Sequence, residues 1–280
     1  MKYFLTYFLL LVSALMWGQS ENELFQVYNV RDEATGAATI YVNNNYPCEH
    51  SVLIEFTALK NMEADVELPF KGVVPAGAHE FQLLTLTIKD LTKPSQLGYI
   101  AKHCDGDIYT REVDRSYVYL LPYQEGEQYP LEQGYGGKFS HYMEGRTHAL
   151  DFTMKEGTPI CAARAGTVID VKEDSDKGGK TIKYMEYANY VTIYHGDGSF
   201  ANYYHLQKGG SQVQVGDEVE AGQVIGLSGN TGWSSGPHLH FQVFTYDENM
   251  DVKSLPTKFK QKDGKAVFLQ KNREGYVSVH

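Results

Sequence analysis

Short stretches in which apolar and polar residues alternate recur along most of this chain, and they set its fold class. Thr39-Ile40-Tyr41-Val42, Ser51-Val52-Leu53-Ile54-Glu55-Phe56 and Glu80-Phe81-Gln82-Leu83-Leu84-Thr85-Leu86 are rich in β-branched and aromatic residues. Alternation with a period of two over runs of this length predicts strands with one face toward a core. Polar turns such as Asn43-Asn44-Asn45 and Pro75-Ala76-Gly77 separate them. Several short strands at such spacing predict a β-sandwich-like module over residues 20–123. A polar, glycine-rich stretch from Gln124 to Gly137 then divides the chain. Beyond it, Gly166-Thr167-Val168-Ile169-Asp170-Val171, Tyr190-Val191-Thr192-Ile193-Tyr194 and Gly222-Gln223-Val224-Ile225-Gly226 again read as strands. His195-Gly196-Asp197-Gly198 reads as a hairpin turn between two of them. The expectation is an all-β protein whose second unit, residues 124–280, is a glycine-cornered antiparallel sheet or barrel.

One run breaks the alternation. Tyr3 to Met16 is almost continuously apolar, follows the single charge of Lys2, and gives way to Trp17-Gly18-Gln19-Ser20. That layout predicts a secretory signal peptide over residues 1–18, cleaved after Gly18. The run is shorter than the roughly 20 apolar residues of a membrane span. An uncleaved N-terminal anchor is the alternative reading. The mature protein is therefore expected to be exported, periplasmic or extracellular, with no membrane insertion after signal removal.

Composition narrows the picture further. Hydrophobic residues make up 42% of the 280 and charged residues 21%, which is ordinary globular usage and enough for two compact units. Lysine and arginine number 25 against 35 acids, and the net charge of -10 argues against nucleic acid as a partner. Three cysteines exclude a disulfide-built miniprotein and a Cys-rich zinc module. Cys48 and Cys104 can pair in an oxidising compartment, whereas Cys161, inside Thr158-Pro159-Ile160-Cys161-Ala162-Ala163, reads as a buried small hydrophobe. In the first half, His50, His79 and His103 stand apart and read as surface or locally satisfied side chains. That half is expected to be structural. Oligomeric state is not legible at this level.

Histidines and glycines concentrate together in the second half. Six of the 10 histidines lie between His141 and His240, and 21 of the 27 glycines lie in residues 121–280. In Gly236-Pro237-His238-Leu239-His240-Phe241 the two imidazoles are two residues apart, so a strand presents both on one face. In His148-Ala149-Leu150-Asp151-Phe152 the carboxylate of Asp151 projects opposite Leu150 and Phe152. A carboxylate within an apolar strand needs a partner, and a metal is a strong one. His205 ends a further strand in Ala201-Asn202-Tyr203-Tyr204-His205-Leu206. Each signal alone suits an ordinary polar strand face. Together they supply the three ligands that a catalytic zinc site needs.

At this point the sequence resembles a known family. Ala149-Leu150-Asp151-Phe152, Gly157-Thr158-Pro159-Ile160 through Val168, Tyr204-His205-Leu206, Val215-Gly216-Asp217 through Gly226, Ser228-Gly229-Asn230-Thr231-Gly232 and Ser235-Gly236-Pro237-His238-Leu239-His240-Phe241 follow the order seen in LytM/lysostaphin-type zinc metallopeptidases. The resemblance covers roughly residues 134–245. It implies an antiparallel β-barrel-like peptidase domain with a sheet-floored groove, one Zn2+ per chain, and cleavage of peptide cross-links in bacterial peptidoglycan. It implies Asp151 and His240 as zinc ligands, with His238 and His205 beside the metal. Zinc lowers the pKa of a bound water to about 7. A neutral histidine then takes the proton and a second one steadies the oxyanion. The base role falls to His238 and the oxyanion role to His205, with exchange possible.

One departure matters. The family pattern places a first histidine ligand four residues before the aspartate, where this chain has Thr147. His141 and His148 are the candidates. His148 is three residues from Asp151, an odd offset that turns it away in a regular strand, so a loop-borne His141 is the expected ligand. If neither binds, the chain is a catalytically inactive relative that binds cell wall or activates another wall hydrolase. A third reading is a protease for secreted proteins.

Overall fold

The computed structural model describes residues 24–280, so the expected signal peptide lies outside the described residues. Strands dominate, and the one regular helical element among the described residues is a 3-10 turn over Ile182–Tyr187. This is the all-β architecture that the alternating pattern predicts.

Two sheets form in the first half. Strands Phe25–Arg31, Ala38–Asn44, Phe81–Ile88 and Met62–Ala64 make one, and Phe70–Val74, His50–Lys60 and Gln96–Asp105 make the other. Alternate residues of both, including Val27, Ile40, Val42, Val52, Ile54 and Leu84, enter one shared core. Burial of these side chains is what holds the two sheets together, at roughly 1.5–3 kcal/mol for each large apolar residue removed from water.

The second half is built on an eleven-stranded sheet. Its centre runs Gly166–Lys172, Asn189–Tyr194, Phe200–Ser211, His238–Tyr246, Leu150–Thr153 and Gln128–Gln133, each antiparallel to the next. His195 to Ser199 closes the hairpin between the second and third of these, with the His195 amide donating to Ser199 O at 2.8 Å. On strand His238–Tyr246, Leu239, Phe241 and Val243 face the main core with Tyr203, Phe152 and Val191. The alternate residues His238, His240 and Gln242 therefore face the other way. That second face carries the polar groups.

The two halves meet through a further cluster of Cys48, Ile169, Tyr194, Phe200 and Phe244. Glu49 reinforces it, accepting from Arg111 Nε at 2.6 Å and from the Tyr194 hydroxyl at 2.7 Å. Cys48, Cys104 and Cys161 are all buried free thiols, so the cross-link open to Cys48 and Cys104 is not formed. Burial pushes the Cys161 thiol up to about 11, as suits a packing residue.

Candidate metal centre and groove

Asp151 is the hub of the site. Strand Leu150–Thr153 pairs with His238–Tyr246 so that Asp151 lies directly opposite His240. His240 Nδ1 stands 2.9 Å from Asp151 Oδ1. His141 Nε2 stands 3.1 Å from the same oxygen and 3.3 Å from His240 Nδ1. All three residues are buried, His141 completely.

The donor set fits zinc. Four ligands at 2.0–2.1 Å in a tetrahedron are about 3.3 Å apart, close to the three edges seen here. His141 also places Nδ1 2.9 Å from Gly134 O, and an N–H donated there leaves Nε2 as a bare lone pair facing a carboxylate. Two lone pairs at that distance repel, and a cation between them removes the conflict. Burial raises the Asp151 pKa, but the imidazoles of His141 and His240 against it outweigh burial and hold the carboxyl well below its ordinary value. Burial lowers His240, opposed by Asp151, which favours the neutral imidazole that a metal needs.

His141 arrives on the loop between strands Gln128–Gln133 and Leu150–Thr153. Gln133 fastens that loop to the hub: its Nε2 donates to Asp151 Oδ2 at 2.8 Å and to Ser140 Oγ at 3.1 Å, while its Oε1 accepts from the Phe139 amide. His148 is elsewhere. It precedes the strand, places Nδ1 2.9 Å from Ser254 O and sets its ring against Tyr135. Thr147 contacts Ser254 through its hydroxyl.

His205 reaches the site by an irregularity that alternation does not reveal. Tyr190 pairs with Tyr204 and Asn189 with Leu206, leaving His205 as an extra, unpaired residue. Its φ of 69° is left-handed, an uncommon state for a side chain of this size. The bulge lets both Tyr204 and His205 face the groove while Leu206 returns to the core. Thr231 O accepts from His205 Nδ1 at 2.6 Å. Burial, reinforced by His238 and His240, pushes the His205 pKa well below its ordinary value. His238 is held in the same manner, with Nδ1 2.8 Å from Gly236 O. Its Nε2 lies 3.8 Å from Asp151 Oδ1, and its ring centre 4.5 Å from that of His205.

Asp151, His205, His238 and His240 line one groove of about 400 Å³, rimmed by Phe139 and Trp233, whose rings lie 5.2 Å apart. Glycine shapes one wall. At Gly232, with φ of 77°, a Cβ would come within 2.6 Å of Ala188 Cα, so only glycine lets Thr231 approach His205. Sequence reasoning missed Gln133, the Gly134 and Thr231 carbonyls, and Arg146, which also lines the groove. No motif marks Gln133, which the pairing register sets opposite Asp151.

In the first half, His50 does not stand apart as expected from the sequence: it belongs to a second donor group. Cys48, His50 and Asp105 bring their donor atoms within 4.8 Å of one another. His50 is buried, stacked near Phe25 and Tyr46, with Nε2 3.0 Å from Asp105 Oδ1 and Nδ1 4.0 Å from Cys48 Sγ. Burial pushes the Cys48 thiol up, as suits the packing place it holds at the junction between the halves.

Comparison with known proteins places the second half in company. A model of peptidase family M23 matches residues 145–252. Glycyl-glycine endopeptidase ALE-1 of Staphylococcus capitis is 36% identical over 136 residues, covering 48% of this chain and 34% of that protein. Peptidoglycan DD-endopeptidase ShyA of Vibrio cholerae is 31% identical over 144 residues, covering 50% and 31%. The solved catalytic domain of the antimicrobial peptidase lysostaphin from Staphylococcus simulans is 32% identical, covering 47% of this chain and 88% of that one, with a TM-score of 0.32. The chain spans between 21% and 34% of the lengths of the first curated relatives it matches. Among the described residues, no helix is long and apolar enough to cross a membrane.

Proposed function

We propose that this chain, whose residues 145–252 match the model of peptidase family M23, is an exported zinc metalloendopeptidase that hydrolyses peptide cross-links of bacterial peptidoglycan. The observation that carries the reading is the triangle of His141, Asp151 and His240 with two further imidazoles beside it in an open groove. The relatives named for peptidoglycan and glycyl-glycine cleavage support the substrate class.

His141, Asp151 and His240 would hold one zinc ion. When bound, zinc supplies Lewis acidity, making a water more acidic and an amide carbonyl more open to attack. The chain supplies the rest. His238 and His205 each tie Nδ1–H to a backbone carbonyl, so each neutral ring presents a bare Nε2 to the groove. His238 Nε2, beside Asp151, is placed to accept the proton of the attacking water and return it to the leaving amine. His205 steadies the oxyanion, which requires a proton on its Nε2. Burial opposes that proton, which the attacking water would have to supply, so His205 could instead take the proton as base and His238 steady the oxyanion.

Thr147, standing where the family pattern has a histidine, favours a second reading: an inactive domain that binds wall or activates another hydrolase. Zinc analysis of the purified chain, followed by digestion of purified peptidoglycan against a panel of folded proteins, separates the readings. One zinc per chain and release of wall peptides are expected. A chain without zinc, and without activity after zinc addition, overturns the proposal in favour of the inactive reading. Cleavage of the protein panel alone would point to a protease for secreted proteins.

A further inference from the structure

The sheet face that carries His240 continues past the metal centre. Gln242 follows on the same side of strand His238–Tyr246, and its cross-strand partner is Asn202, just as Tyr204 is the partner of His240. Thr192 lies opposite Asn202, and Asp170 opposite Thr192. This row floors a second pocket of about 350 Å³. Arg146 and Tyr204 line both the pocket and the metal groove, so the two are joined.

The acids of this pocket are already matched. Asp105 accepts from His50 Nε2 at 3.0 Å and from the Tyr246 hydroxyl at 3.2 Å. Asp170 accepts from the Tyr190 hydroxyl at 2.8 Å, and Glu144 pairs with Lys253 at 3.1 Å. Arg146 is not matched: half-buried, its guanidinium has no hydrogen bond or ion pair among the described residues. Gln242 is 5% exposed, and its Oε1 is buried without a partner. An unmatched guanidinium and an unmatched carbonyl oxygen lining one pocket call for a ligand that carries both an anion and an N–H donor.

We infer that this pocket is a substrate subsite for a peptide residue bearing a free carboxylate near the scissile amide, the carboxylate on Arg146 and an amide N–H on Gln242 Oε1. The inference rests on the peptidase reading and names the substrate chemistry of that same groove. Guanidinium and carboxylate match in a two-point geometry that a carboxamide cannot reproduce. Residues two apart on a strand are about 6.6 Å from each other, so Gln242 lies roughly two residues of extended peptide from the chemistry at His240.

The test uses cross-linked peptides released from purified peptidoglycan, native or with their free carboxylates converted to carboxamides. Binding to the full chain is read by calorimetry, and cleavage by the zinc-loaded chain is followed in parallel. Wild type should bind the native peptides about 10-fold to 100-fold more tightly than the amidated ones. Arg146→Gln should bind both forms equally weakly, with the cleavage loss appearing more in KM than in kcat. Arg146→Lys should recover part of the preference. Gln242→Met should weaken both forms alike. No preference in wild type, or the same preference in Arg146→Gln, overturns the subsite. Wild type that cleaves neither form overturns the peptidase reading instead, because binding reports the carboxylate preference without turnover.

Discussion

His141 Nε2 and His240 Nδ1 stand 3.3 Å apart although 99 positions of sequence separate them. Asp151 Oδ1 closes the triangle with them at 3.1 and 2.9 Å. This contact brings the loop before strand Leu150–Thr153 into the candidate metal centre.

Zinc stoichiometry tests that assignment directly. His141→Ala and His240→Ala should each drop from one zinc per chain toward none after gel filtration, since two protein ligands hold the ion poorly. His148→Ala should keep its zinc, because that ring is engaged with Ser254 and Tyr135. If His148→Ala alone empties the site, the ligand set is wrong.

His238→Ala is expected to separate binding from chemistry. The ring stands beside the triangle and is not one of its corners, so zinc content should stay near wild type. Peptide cleavage should fall ~10²–10⁴-fold, the usual loss for a positioned acid–base group. Parallel losses of zinc and activity would move His238 into the coordination shell.

The left-handed backbone at His205 gives a prediction about stability. In an ordinary strand, alanine is favoured over glycine by roughly 0.5–1 kcal/mol. At φ of 69° the order should invert, with His205→Gly more stable than His205→Ala by about 1 kcal/mol in urea unfolding. Both variants should lose activity. An alanine variant equal to or more stable than the glycine one would mean that the bulge relaxes when the ring is removed.

How much of this was legible beforehand depends on where the backbone is regular. Asp151 and His240 could be read because strand alternation places both on one face, and they turn out to be direct cross-strand partners. His205 obeys no such parity, since a bulge supplies the extra residue that turns it into the groove. His141 could be reached only by asking which histidine a loop delivers. Gln133 carries no motif, and its importance comes from a pairing register that forms at long range. His50 looked isolated because Asp105 is 55 positions away in sequence, and only the pairing of their strands joins them.

Acid sensitivity follows from a histidine outside the metal centre. Burial, reinforced by the Arg164 guanidinium, pushes His195 down to about 4, against about 6.5 in an unfolded chain. Below pH 6.5 the unfolded chain takes a proton that the folded one refuses, so stability falls as pH drops from 6.5 toward 4. The slope should be at most ~1.4 kcal/mol per pH unit from this residue. His195→Asn keeps an N–H for Ala165 O, the group His195 Nδ1 bonds at 2.8 Å, and removes the titration. Unfolding free energies of wild type and His195→Asn should therefore converge on acidification, and parallel curves would refute the assignment.

The loop that carries His141 is moored on its far side. The Tyr135 hydroxyl lies 3.0 Å from Thr257 O and 2.8 Å from the Thr257 amide, and Ser254 holds both Thr147 and His148. Thr257 lies beyond residue 252, where the family match stops, and His141 lies ahead of residue 145, where it starts. Trimming the chain to the matched stretch would discard one corner of the triangle together with the anchor of its loop. The strand Gln128–Gln133, which supplies Gln133, is itself paired with Asn272–Val277. A transplantable unit must therefore reach from Tyr119, which shares the main core with Leu121 and Tyr123, to Ser278, whose hydroxyl bonds Tyr123 O, because the family match falls inside the stretch that positions His141.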